Sequence, residues 1–297
     1  MIILLAVVCF AMQFAFTKLY ERAVPQNAVT STVMLIETSL IGALLFLCVG
    51  GSRIELNPRS LVYAALFALV MIPYYMLGIK VLSLGSLAVY STFMMLGGML
   101  VPFFYGVWFL NEEISVAKII GTALLSVFIV LQAVAQSRIS REDRKKGSLL
   151  FIILCVLIFF INGATGVIAK AHQVGSSPIN EVSFTFISCA LTALFSLAIL
   201  PFSYAKNKDA AKKAIKECLN ARPLISMTLI GISAYVGNFL HLKAAAAVPA
   251  SVQFPLVSGG VIVLSALTAA TVFRERLSGL EWISVSGACL CTVLFAF

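Results

Sequence analysis

Apolar residues in this chain fall in long blocks, most near 20 residues, parted by short polar breaks. An α-helix needs about 20 residues to cross about 30 Å of hydrocarbon. The pattern predicts ten membrane-spanning helices, at 2–21, 28–49, 60–81, 84–110, 115–136, 147–171, 178–200, 222–247, 249–273 and 278–297. They use most of the chain and leave no room for a soluble domain. The expected fold class is all-α, a polytopic membrane protein. Between 204 and 219, Ala211, Ile215 and Leu219 recur every four residues among lysines. That spacing predicts a short basic amphipathic helix, lying on headgroups or connecting two spans in solvent.

Composition points the same way. Of 297 residues, 61% are apolar and 11% charged, against about 25% charged in an ordinary soluble domain. This excludes a disordered chain and argues against a soluble enzyme. The net charge of +9 would raise nucleic acid as a partner for a soluble protein. Here the basic residues lie between spans, where anionic headgroups are the expected partners. No nucleic-acid partner is expected. The seven cysteines lie mostly within spans, form no CxxC, and read as small apolar filler. The two histidines are His172 and His241, and there is no HExxH, GxSxG or P-loop. The expectation is therefore a protein that is not an enzyme and carries no metal and no cofactor.

The chain also repeats itself. Leu110-Asn111-Glu112-Glu113-Ile114-Ser115 resembles Phe273-Arg274-Glu275-Arg276-Leu277-Ser278, 163 residues later. The same offset carries Lys80 onto Lys243 and Gly97 onto Gly260, and Lys18 matches Lys170 at an offset of 152. The expected organisation is a first five-helix repeat at 1–136, a basic linker at 137–146 and a second repeat at 147–297. Five is odd, so the second copy starts on the opposite side of the membrane. The expectation is two inverted five-helix repeats, an arrangement common among secondary transporters. Halves of opposite orientation can exchange conformations, which opens one central site alternately to each side.

Ten spans, two five-span halves and the Glu-containing turns Phe109-Leu110-Asn111-Glu112-Glu113-Ile114 and Phe273-Arg274-Glu275-Arg276-Leu277 resemble the drug/metabolite transporter superfamily, EamA type. Lys18 and Lys170, late in the first span of each half, fit as well. The resemblance covers nearly the whole chain. It implies a transporter of small metabolites or toxic compounds, often an exporter, in a bacterial inner or plasma membrane. The sequence departs from that family at the middle of the second span, where an arginine is frequent and Glu37 stands near the place.

Glu37 is the most informative single residue. An ionisable group at mid-membrane costs about 2.5 kcal/mol or more unless it is paired or faces a cavity. A carboxyl there binds a proton or a cationic group, which is the chemistry of proton-coupled antiport. The plainer alternative is a hydrogen bond that joins two helices. Gln13, Asn162, Asn238, His241 and Gln253 are further polar groups at membrane depth, with Tyr74, Tyr75 and Tyr90 near span ends or within spans. The 163 offset pairs Tyr75 with Asn238 and Tyr90 with Gln253. Together with Glu37, all of these but Tyr74 are the candidate substrate-binding residues of a central amphipathic cavity.

Gly97, Gly98, Gly259 and Gly260, with Pro102 and Pro255, are candidates for gating or close helix packing. Lys18, Lys80, Lys170 and Lys243 either snorkel to the interface or meet an anionic substrate group. Glu112 and Glu275 are expected to cap the following helix or pair with a nearby cation. The expected partners are a small-molecule substrate and the lipid bilayer, with proton coupling through Glu37, in a monomer or homodimer. Rival readings are a sodium-coupled symporter of the bile-acid type, also 5 + 5, and a non-transporting structural membrane protein.

Two indicators of orientation disagree. Sixteen of the 21 Lys and Arg residues lie at odd-numbered loops and five at even-numbered ones. By the positive-inside rule this places both termini outside. The family resemblance implies cytoplasmic termini. Either way, both termini share one side.

Overall fold

The computed structural model describes residues 1–25, 27–84, 87–139, 149–205, 208–272, 274 and 277–296. All regular structure among them is helical. The helices are α1 (Ile2–Ala23), α2 (Ala28–Gly50), α3 (Pro58–Leu84), α4 (Leu87–Phe109), α5 (Val116–Ile139), α6 (Leu149–Gln173), α7 (Glu181–Ala205), α8 (Lys208–Cys218), α9 (Ala221–Ala247), α10 (Ala250–Thr271) and α11 (Gly279–Val293). Most of the expected linker, and Glu275 with Arg276, lie outside the described residues.

Among the described residues, α1 to α7, α9 and α10 are long and apolar enough to cross a bilayer, nine helices in all. Leu44, Val62, Ile225 and Leu290 lie more than half exposed on the outer surface, as lipid-facing side chains do. The protein is a polytopic helical membrane protein. The tenth expected span is shorter than its sequence block. α11 has 15 residues, followed by a 3₁₀ turn at Leu294–Ala296. At 1.5 Å per residue the α-helical part covers about 22 Å, less than a full hydrocarbon core.

Local chemistry sets several helix ends. The Asn27 side chain accepts from Val29 N and Thr30 N, and Thr30 Oγ1 accepts from Asn27 N, closing a capping box on α2. Ser278 and Glu281 form the same device on α11. The expected short helix forms as α8, and part of its apolar stripe packs on the protein: Ala211 is buried, while Leu219, just past its end, is exposed. α8 turns Ala211, Ala214 and Cys218 inward, with Ala211 and Ala214 packed against Val29 of α2. Its lysines Lys212, Lys213 and Lys216 stay exposed.

α1 packs on α9 and α10, while α6 packs on α3 and α4. Three further pairs are α2 with α7, α4 with α10 and α5 with α11. Met99, Leu125, Ile262 and Ala288 form one buried cluster where α4, α5, α10 and α11 meet. Gly97 allows the closest approach: a Cβ there would strike the Phe159 carbonyl oxygen of α6. A Cβ on Gly163 would likewise run into Val101. Gly260 faces a Val7 methyl at 2.9 Å and Gly259 a Thr292 methyl at 2.8 Å from the same hypothetical atom. All four glycines therefore sit at tight helix crossings.

The described connecting turns gather at two ends. At one end the α2–α3 turn meets the α6–α7 turn. Glu55 N donates to Ser183 Oγ (2.9 Å), Asn180 N donates to Glu55 Oε2 (3.1 Å), and Arg59 bonds Ser176. The α4–α5 turn meets the start of α10 through Glu112. At the other end Tyr20 Oη donates to Thr30 O (3.0 Å) and contacts Cys218 Sγ (3.4 Å).

Candidate functional site

A cavity of about 240 Å³ lies among α1, α2, α3, α4, α6, α7, α9 and α10. Among the described residues α5 and α11 contribute nothing to it; they pack on each other outside the ring. Gln13, Tyr75, Asn162, Asn238, His241 and Gln253 all line it. They come from α1, α3, α6, α9 and α10, so residues from both ends of the chain meet in one place. Rings from Phe10, Phe67, Tyr74, Phe184, Tyr235 and Phe254 form much of the remaining wall.

The polar side chains are held rather than loose. Asn162 Nδ2 crosses from α6 to donate to Met94 O of α4 (2.7 Å). Gly98 makes room for this, since a Cβ there would stand 2.6 Å from that nitrogen. Asn238 Nδ2 donates to Ala234 O within α9 (2.9 Å). Gln253, fully buried on α10, donates through Nε2 to His241 O (2.6 Å), and its Oε1 has no hydrogen-bond partner among the described residues. His241 packs edge-on against Phe10 and Phe254. Tyr235 and Ser39 share a hydrogen bond of 2.8 Å that ties α9 to α2.

Pro102 and Pro255 lie inside α4 and α10, and both helices run on through them. Each lacks an N–H, so the carbonyls of Gly98 and Ser251 lose their helical partner. Pro102 also packs over Gly166, where a Cβ would meet its ring and that of Phe254.

Two candidates stand apart from the cavity. Tyr90 is not among its lining residues and packs with Phe93 and Tyr74 around Val81 and Met94. Glu37 does not line it either. It is half-buried between α2 and α9, where Oε1 accepts from Thr228 Oγ1 (3.1 Å) and Oε2 has no hydrogen-bond partner among the described residues. Its neighbour in sequence, Thr38, does line the cavity.

The lysine and glutamate motifs also take unexpected places. Lys170 is 4% exposed and does not snorkel. Its Nζ donates to Ala245 O (2.8 Å) and Val248 O (2.7 Å) and faces Glu112 Oε1 at 3.8 Å. Glu112 caps a helix, but not α5, which follows it. Its two carboxylate oxygens accept from Ala250 N (2.7 Å) and Ser251 N (2.9 Å), the first turn of α10. An anion at a helix N-terminus is favourable because unpaired N–H groups and the helix dipole point at it. Lys243 is exposed, Lys18 is half-buried, and the Lys80 side chain lies outside the described residues.

No protein-family model and no curated protein matches the sequence. A solved structure described only as a crystal structure of a protein is similar in fold. It matches with a TM-score of 0.73 at 14% identity, over 99% of this chain and 95% of its own. At that identity the likeness speaks for the fold alone.

Proposed function

We propose that the chain is a secondary active transporter that moves small organic molecules through the central cavity by alternating access. The observation that carries this reading is a cavity ringed by eight helices drawn from both halves of the chain. The helix neighbours support it. Exchanging the first five spans for the second five turns the α1–α9 and α1–α10 contacts into α6–α3 and α6–α4, which also exist. The same exchange leaves the pairs α2–α7, α4–α10 and α5–α11 unchanged. That exchange supports the reading of ten spans arranged as two inverted five-helix repeats, as in the EamA-type drug/metabolite transporters that the motifs resemble. Efflux is the direction such a resemblance favours.

Proton coupling through Glu37 forms part of the proposal. The carboxyl stands behind the cavity wall beside Thr38 and keeps one oxygen without a partner among the described residues. It can therefore hold a proton in one state and release it in another without breaking a buried ion pair. The sodium-symporter reading fits less well, because α4 and α10 each run as one continuous helix.

The test is exchange in proteoliposomes. Vesicles holding labelled amines, amino acids, nucleosides or sugars are expected to exchange at least one of them saturably with unlabelled compound outside. Thr165→Trp, which fills the cavity, should abolish that exchange. No saturable exchange of any compound, or exchange untouched by the filled cavity, would overturn the reading. For the coupling, Glu37→Gln should leave exchange intact and remove uptake driven by a pH gradient.

A further inference from the structure

We infer that the cavity takes a compact protonated amine, a cation that donates hydrogen bonds and carries an apolar or aromatic body. The inference deepens the transport reading above and rests on it. Its first support is the state of the three amides. Asn162, Asn238 and Gln253 each commit their nitrogen to a backbone carbonyl, of Met94, Ala234 and His241. A carbonyl oxygen only accepts, so the nitrogen must face it and the amide cannot turn over. Each side chain spends one of its two N–H donors on the protein and keeps its acceptor oxygen. For Gln253 that oxygen is without a partner among the described residues, on a fully buried side chain. A buried acceptor left unpaired is costly, and a ligand N–H relieves that cost.

The second support is the lack of any counter-charge for an anion. Among the described residues that line the cavity there is no Lys and no Arg. Lys170 comes near, one residue beyond the lining residue Ala169, but its ammonium is already met by two carbonyls and the Glu112 carboxylate. A carboxylate or phosphate would have to strip Glu112 both from Lys170 and from the first turn of α10. The described lining holds no Asp or Glu either, but its ring faces and amide oxygens can solvate a cation and offer an anion nothing.

Third, the wall is aromatic. Phe10, Phe67, Tyr74, Tyr75, Tyr235 and Phe254 offer ring faces, and a cation over a ring face is attracted by its quadrupole. Glu37 does not line the cavity, but it is next in sequence to the lining residue Thr38 and is bonded to α9 through Thr228. The size of the cavity, about 240 Å³, falls below the range of about 300–1,000 Å³ that drug-sized ligands fill. The amine is therefore small.

The test measures equilibrium binding of a shape-matched series to the unmutated chain in lipid nanodiscs. The probes are phenethylammonium, its N,N,N-trimethyl derivative, 2-phenylethanol and 3-phenylpropanoate. Phenethylammonium should bind saturably. The trimethyl compound has the charge but no N–H, the alcohol has a donor but no charge, and each should bind at least tenfold more weakly. The carboxylate should show no saturable binding. Binding of the carboxylate or the alcohol as tight as that of the amine would overturn the inference, as would absence of amine binding. Neutral and anionic metabolites assayed in parallel separate the two proposals. If one of them binds and the amine does not, the amine inference falls and the transport reading stands. If nothing binds saturably, both fall.

Discussion

Asn111 and Arg274 lie 163 residues apart, and both hold left-handed backbone, with φ of 50° and 53°. They stand at opposite ends of one helix. Asn111 precedes Glu112, whose carboxylate caps the first turn of α10 at Ala250 and Ser251, and Arg274 follows the last turn of α10 at Thr271. The 22 residues of α10 separate the two turns by about 33 Å. Asn111 and Arg274 thus share the same unusual backbone conformation beyond opposite ends of α10.

The left-handed turn at Asn111 lets the Glu112 N–H reach back to Gly106 O (3.1 Å) and aims its carboxylate at α10. Asparagine tolerates this conformation and a β-branched residue does not. Asn111→Gly should leave the thermal midpoint of the purified protein nearly unchanged. Asn111→Val should lower stability by about 1–2 kcal/mol, read by thermal unfolding in detergent. Equal midpoints for the two variants would show that the turn is not strained.

In the Glu112–Lys170 pair Lys170 is buried and Glu112 largely so, and both are also bonded to backbone. Removing one member leaves the other charge buried and unpaired, at a cost of about 3–5 kcal/mol. Glu112→Ala and Lys170→Met should each destabilise by that order. The double variant should lose clearly less than the two losses added together, because neither charge then remains. Simple additivity in a double-mutant cycle would mean that the two groups do not interact.

Much of this arrangement is legible in sequence, for a physical reason. A span must be continuously apolar, so Gln13, Asn162, Asn238, His241 and Gln253 stand out against their surroundings, and all five line the cavity. The same rule hides the direction in which a side chain points. A helix apolar on every side gives no inward face, so sequence does not mark Tyr235 and Phe254 as wall residues, while Glu37 and Tyr90 stand out though they do not line it. The partner of Glu112 was hidden for another reason. Its cap acts on α10, 138 residues away, and no local pattern records it. The docking of α8 on α2 depends on shape in the same way. Its small residues Ala211 and Ala214 fit against Val29 where the repeat of four alone suggests a lipid-facing stripe.

Gly97 sets the distance between α4 and α6. Because the obstacle is the Phe159 backbone oxygen and not a movable side chain, Gly97→Ala must push the helices apart. The expected cost is about 1–3 kcal/mol, the usual range for overpacking. Gly279→Ala is a fitting control, since nothing stands within 4 Å of a Cβ there. Thermal unfolding should show a marked loss for the first and little change for the second. Equal behaviour would mean that the α4–α6 crossing is not tight.

Outside the membrane, Glu55 joins the α2–α3 turn to the α6–α7 turn. The Asn180 backbone N–H, then its side chain, hold the Glu55 carboxyl below its ordinary value of 4.5. A carboxyl with a depressed folded pKa contributes stability above its unfolded pKa and loses it as pH falls through the folded value. The advantage of the natural chain over Glu55→Gln should therefore be full near neutral pH and shrink below about pH 4.5. Thermal midpoints measured across that range test this. A difference that does not change with pH would exclude the Asn180 contact as its source.

The central claim is that two halves of opposite orientation enclose one cavity. Single cysteines at positions 111 and 274, in a chain whose seven native cysteines are replaced, can be labelled in sealed, oriented vesicles with a membrane-impermeant maleimide. The account predicts that the reagent reaches one position only from outside and the other only from inside. Labelling of both from the same side would contradict it.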